Sequence, residues 1–110
     1  MKDYKTISYE YFRKFSNKSI SSLEVLFDKD IELKDWEIEA KGIKNVLEAN
    51  NNIFKNVNSI NVIPKRLIVE FNIVSAEVEI TINEDEIIEV VDIIEFNNKG
   101  LITKIRAYKG

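Results

Sequence analysis

The sequence predicts an α+β domain in which three helices precede a meander of long antiparallel strands. Two observations predict it. Apolar residues recur at spacings of three and four through the first half, then switch near residue 58 to an alternation that runs to the C-terminus. Within the alternating half, Asn83-Glu84-Asp85 and Asn97-Asn98-Lys99-Gly100 are turn clusters that divide it into hairpins. Helices first and strands second is an α+β order, not βαβ. At 110 residues the chain has the length of one domain with one core, so residues 1–110 are expected to fold as a unit.

The first helix is predicted over 3–16, where Tyr4, Ile7, Tyr11, Phe12 and Phe15 share a face and Lys5, Glu10, Arg13 and Lys14 take the other. Asn17-Lys18 breaks the pattern. Ser19 then caps a short second helix that buries Ile20, Leu23, Leu26 and Phe27. Residues 30–34 alternate as a strand running into Asp35-Trp36, and 37–40 form a second short strand. Gly42 opens a third helix over 42–56, with Ile43, Val46, Leu47, Asn50, Ile53 and Phe54 on one face. Asn50-Asn51-Asn52 has weak helix propensity, so packing must hold this helix. Four strands follow, at 59–70, 73–83, 86–96 and 101–109. Pro64 cannot donate to a ladder and belongs at a bulge or an edge.

Composition narrows the chemistry. The chain carries 16 basic and 19 acidic residues for a net charge of −3, without a basic run, so a nucleic-acid partner is not expected. The N-terminal Met1-Lys2-Asp3-Tyr4-Lys5 leads into an amphipathic pattern, so neither a signal peptide nor a membrane span is expected, and a cytoplasmic location is. There is no cysteine and no histidine. Ser–His and Cys–His nucleophile systems and His-ligated metals are therefore excluded. No metal and no cofactor is expected, because Glu77, Glu79, Glu89 and Glu95 scatter along outer faces without converging. Acid–base work near neutral pH must fall to a carboxylate, Tyr or Lys in an unusual environment.

Asp92 is that carboxylate. On the strand 86–96 the even face reads Ile88, Val90, Asp92, Ile94, Phe96, apolar but for one acid. The preceding strand pairs Val74, Ala76, Val78, Ile80 and Ile82 against Ser75, Glu77, Glu79 and Thr81. Both even faces should look inward and carry Asp92 with them. An acid so placed is paired, hydrogen-bonded or protonated, since ionising it there is costly. Two readings stand: Asp92 supports the fold by binding a backbone NH, a Tyr or a Lys, or it does chemistry.

The order of elements, the segment LFDKDIELKDWEIEAKGIKNVLE (26–48) and the closing VVDIIEFNNKGLITKIRAYKG (90–110) resemble a SnoaL-like domain of the NTF2-like superfamily. The closing segment carries the strongest part, with Asp92 beside Ile93, aromatic Phe96, a turn ending in Gly100, and Ile102-x-x-Ile105-x-Ala107-Tyr108. The resemblance implies an NTF2-like (cystatin-like) cone, a curved mixed or antiparallel sheet wrapped around the helices, enclosing an apolar pocket. It also implies a site similar to ketosteroid isomerase, itself a standard illustration of carboxylate tuning. In that site Asp35 stands as the base, and Tyr11 and a protonated Asp92 as oxyanion donors. Phe15, Trp36, Val78, Val90, Ile94, Ile105, Ala107 and Lys109 are expected to line the pocket.

There are departures from that pattern. Phe27 and Asn50 stand where further tyrosines back the oxyanion donor. Trp36 replaces a proline and either walls or fills the pocket. Lys109 replaces a pocket tryptophan and can meet a ligand anion, pair with an acid or extend into solvent. Tyr11 also reads as part of an aromatic stripe, and such stripes are usually core; Asp35 also reads as a turn or cap residue. The expected partner is a small apolar or carbonyl-containing ligand. The functions left open are an isomerase or cyclase, a ligand-binding accessory domain, and a dimerisation module. Ile87, Val91 and Ile93 on the outer face of 86–96 suggest a homodimer through the sheet, as does the family.

Overall fold

The computed structural model describes residues 3–110; Met1 and Lys2, the start of the segment read as an ordinary N-terminus, lie outside the described residues. The elements are α1 (Tyr4–Ser16), α2 (Ile20–Glu24), β1 (Phe27–Lys34), β2 (Glu39–Lys41), α3 (Ile43–Lys55), β3 (Ile60–Glu70), β4 (Ile73–Ile82), β5 (Glu86–Phe96) and β6 (Ile102–Lys109). The strands form one curved, open sheet in the order β2-β1-β6-β5-β4-β3. Only β1 and β6 run parallel; the other neighbours are antiparallel. The fold is therefore α+β with a mixed sheet.

α1 begins where the Asp3 carboxylate accepts from the Thr6 NH at 3.0 Å. It ends in a Schellman closure, with Ser19 NH on Lys14 O at 3.2 Å and Lys18 NH on Phe15 O at 3.0 Å. Lys18 takes the left-handed conformation at φ 56°. Its ammonium donates to the carbonyls of Val57 and Asn58 at 2.7 and 2.9 Å, tying the helix end to the start of β3. Phe12 and Tyr11 are buried in the core, and burial of a side chain of that size contributes roughly 2–3 kcal/mol.

The second helix is shorter than the spacing implies. It stops at Glu24, and Phe27, expected on its buried face, instead opens β1 opposite Ile102 of β6. The Ile102 NH donates to Leu26 O at 2.8 Å, so a ladder to a strand 75 positions later in the chain takes this segment from the helix. β1 thus starts three residues before the predicted 30–34 and is irregular between Phe27 and Glu32. The second short strand is displaced to Glu39–Lys41.

Pro64 satisfies both constraints placed on it, since β3 is an edge strand and its register shifts between Pro64 and Arg66. In the three-residue loop between β4 and β5, Asn83 and Glu84 both have positive φ, as the tight turn closed by Asp85 NH on Ile82 O at 3.2 Å requires. On the outer face, Arg66 pairs with Glu77 at 2.9 Å and Lys65 with Glu79 at 3.8 Å. Among the described residues no helix is long and apolar enough to cross a membrane.

Candidate functional site

The helices cover the sheet completely only at one end. There Val74, Ala76, Ile94, Phe96 and Ile102 are sealed from solvent. At the other end, where β3 and β5 begin and β4 and β6 finish, a cavity of about 300 Å³ opens between the sheet, α1 and α3. Ile60, Val62, Ile80, Ile82, Ile88 and Val90 supply its sheet wall, and Phe12, Phe15 and Ile53 its helical wall.

Tyr11, Asp35 and Asp92 all line this cavity. Asp92 points inward from β5 and is 8% exposed. Its cross-strand neighbours are Ala76 on β4 and Ala107 on β6, so no bulky side chain crowds it from either side. Burial first, and the charge of Asp35 second, push its carboxyl up to about 7. Tyr11 is 6% exposed and its ring packs on Phe12, Phe15 and Phe27 at centroid distances of 5.4, 5.9 and 6.2 Å. Burial, then the charges of Asp92 and Asp35, hold its phenol well above the ordinary range, so it stays a donor. Neither side chain is anchored by a hydrogen bond to a described residue; each faces the cavity with its polar atoms uncommitted.

Asp35 is fixed differently. Its Oδ1 accepts from the amides of Glu37 at 2.7 Å and Ile38 at 2.6 Å, while its own NH donates to Ile38 O at 2.8 Å. This Asx turn joins β1 to β2 and holds the carboxylate at the cavity wall. Asp35 is thus both a turn residue and a cavity residue, the two alternatives left open by its sequence context.

Of the other expected pocket residues, Phe15, Trp36, Val90, Ile105, Ala107 and Lys109 line the cavity. Trp36 does not plug it; the indole is 42% exposed at the rim, with the Lys109 ammonium 5.9 Å from its ring centroid. Val78 and Ile94 are corrections. They face inward as alternation requires, but both are buried in the core and neither reaches the cavity. Alternation sets the face of a side chain, not whether a helix covers it. Asn50, Glu37 and Glu86 line the cavity unforeseen. The signal for Asn50 was present, as the one polar side chain on the apolar face of α3; the rim acids Glu37 and Glu86 gave none. A wider depression of about 590 Å³ over β2, β1 and β6 shares Asp35, Trp36 and Lys109. Glu32, Glu39, Lys34, Lys41, Lys104 and Arg106 surround it, so charges of both signs meet there.

No family model and no curated protein matches the chain. Solved structures do. A candidate isomerase of the SnoaL-like family from Agrobacterium tumefaciens superposes with a TM-score of 0.85, at 10% identity, over 97% of each chain. A candidate ketosteroid isomerase from Kribbella flavida gives 0.84 at 16% identity, over 97% of this chain and 77% of that one. The fold is the one that SnoaL-like and NTF2-like proteins share. An LEH-like epoxide hydrolase from M. tuberculosis also superposes, with a TM-score of 0.83 at 14% identity over 96% of this chain and 80% of that one. At these identities the likeness concerns backbone architecture, and NTF2-like folds with such different names carry different chemistries. What this chain's cavity can do follows from its own side chains.

Proposed function

We propose that the protein binds a small carbonyl compound and moves a proton on it. Asp35 acts as the base, and Tyr11 and protonated Asp92 stabilise the oxyanion. The observation that carries this reading is that three groups of complementary proton chemistry line one apolar cavity. Asp35 removes a proton from the carbon next to the carbonyl. The C–H pair becomes the C=C bond, the carbonyl π pair moves to oxygen, and the enolate accepts hydrogen bonds from the Tyr11 hydroxyl and the Asp92 carboxyl. Returning the proton to the same or a conjugated carbon completes exchange or isomerisation. Phe15, Trp36, Val90, Ile105 and Ala107 exclude water, and Lys109 stands at the rim. The cavity is at the small end of the roughly 300–1,000 Å³ range of ligand sites, which favours one or two rings.

The test is α-proton exchange of 2-tetralone in deuterated water, followed by NMR. The protein is expected to accelerate exchange, with kcat/KM falling as pH rises through about 7, where Asp92 ionises and ceases to donate. In Asp92→Asn the amide donates at any pH, so that fall should disappear. Exchange no faster than buffer, at any pH from 5 to 9, would sink the enzymatic reading. A second reading, ligand binding without turnover, is favoured by the two backbone amides that already occupy one Asp35 oxygen.

We further infer a homodimer through the outer face of the sheet, where Ile68, Ile87, Val91 and Tyr108 are exposed. Sedimentation should show a dimer that Val91→Lys converts to a folded monomer. A wild-type monomer at 100 µM would exclude it (roughly the range of weak association).

A further inference from the structure

Asn50 is an anomaly on two counts. It interrupts the apolar face that Ile43, Val46, Leu47, Ile53 and Phe54 form on α3. It is also 2% exposed, and its Nδ2 is the only fully buried side-chain nitrogen or oxygen among the described residues without a hydrogen-bond partner. Asparagine is a poor helix former, and an unpaired buried amide carries the full cost of its lost hydration. A leucine here would continue the apolar face without either cost. The fold gains nothing from the amide, and the residue lines the cavity. An unsatisfied buried donor at a cavity wall calls for a partner that enters the cavity.

We propose that Asn50 is a ligand-binding residue: its amide forms a second polar subsite for a hydroxyl, carbonyl or ether oxygen of a ligand whose other oxygen sits at Tyr11 and Asp92. The second half of that statement rests on the function proposed above; the unpaired Asn50 amide does not. Rotation of the amide exchanges its oxygen and nitrogen, so the one side chain can serve a donor or an acceptor. The ligand is therefore a small ketone that carries a second oxygen, not a hydrocarbon ketone. Tyr11 and Asp92 bind the reacting carbonyl, and Asn50 selects the substituted ring.

The experiment compares 2-tetralone with 6-hydroxy- and 7-hydroxy-2-tetralone by NMR titration, a readout independent of turnover. At least one hydroxylated compound is expected to bind the wild type tenfold or more tighter than 2-tetralone. Asn50→Leu should erase that gain, so that the hydroxylated compounds bind the variant no tighter than 2-tetralone does. Equal binding of all three by the wild type, or a gain that survives in Asn50→Leu, would overturn the subsite and leave the carbonyl site standing. Failure of the wild type to bind any of them would overturn both. Thermal unfolding provides an independent arm. Asn50→Leu should unfold at a higher temperature than the wild type. An unchanged or lower midpoint, or a variant that fails to fold, would mean the amide is satisfied within the fold and would overturn the proposal.

Discussion

Asp35→Asn should lower the rate of α-proton exchange by roughly 10²–10⁴-fold while leaving the fold almost untouched. The two effects separate because Asp35 uses its oxygens differently. Oδ1 holds the turn by accepting from the Glu37 and Ile38 amides. Asparagine keeps that acceptor, so the change in stability should be within about 0.5–1 kcal/mol. What it loses is the ability to take a proton. Asp35→Ala removes both properties and should cost an additional 1–2 kcal/mol or so, because two turn amides lose their partner. A purely structural Asp35 gives the opposite pattern: Asn behaves like the wild type in exchange, and only Ala does damage. The substitution has a second consequence. The charge of Asp35 is one of the two causes that raise Asp92, the lesser one after burial. Without it Asp92 ionises at lower pH, and any residual activity should begin to fall below pH 7 rather than near it. Wild-type exchange in Asp35→Asn would remove this residue from the mechanism.

Much of this arrangement is legible before any coordinates, and the parts that are not share a physical cause. Long strands with one buried face write their register into the sequence, so the predicted 59–70 and 86–96 fall within a residue of Ile60–Glu70 and on Glu86–Phe96. The inward direction of Asp92 follows from the same alternation, because a single acid among Ile88, Val90, Ile94 and Phe96 has no other apolar-consistent register. Phe27 is not legible in this way. It sits four residues after Leu23, a helical spacing, and what decides its fate is pairing with Ile102. Val78 and Ile94 fail for a related reason. Whether an inward side chain meets a void or a neighbour depends on where α1 and α3 lie over the sheet, which no local pattern encodes. The Asx turn at Asp35 illustrates the remaining ambiguity. An Asp between a strand and a turn satisfies turn chemistry and faces a cavity with the same atoms, so sequence context admits both roles.

Asp92→Asn should make the protein more stable at pH 8 and hardly change it at pH 4. The sign follows from linkage. A carboxyl whose folded value is raised, here from 3.8 to about 7, keeps its proton in the folded state over a window in which the unfolded chain has lost it. Its contribution is fully present below the unfolded value and is lost as pH rises through the folded one. Between pH 4 and pH 8 the wild type should therefore lose stability on the order of 4 kcal/mol through this group, and the loss should level off above pH 7–8. Asparagine has the shape of the protonated acid and no charge to desolvate, so it does not titrate. Urea unfolding of both proteins across pH 4–8 measures the difference directly, and the gap should open steadily from near zero. The same comparison decides what the acid is for. If Asp92 were a structural residue bonded in its charged form, its folded value would lie low and Asn would destabilise the protein at neutral pH. A variant that gains stability while losing the pH dependence of exchange instead describes an acid kept in an unfavourable place, with both of its alanine neighbours leaving room for a ligand.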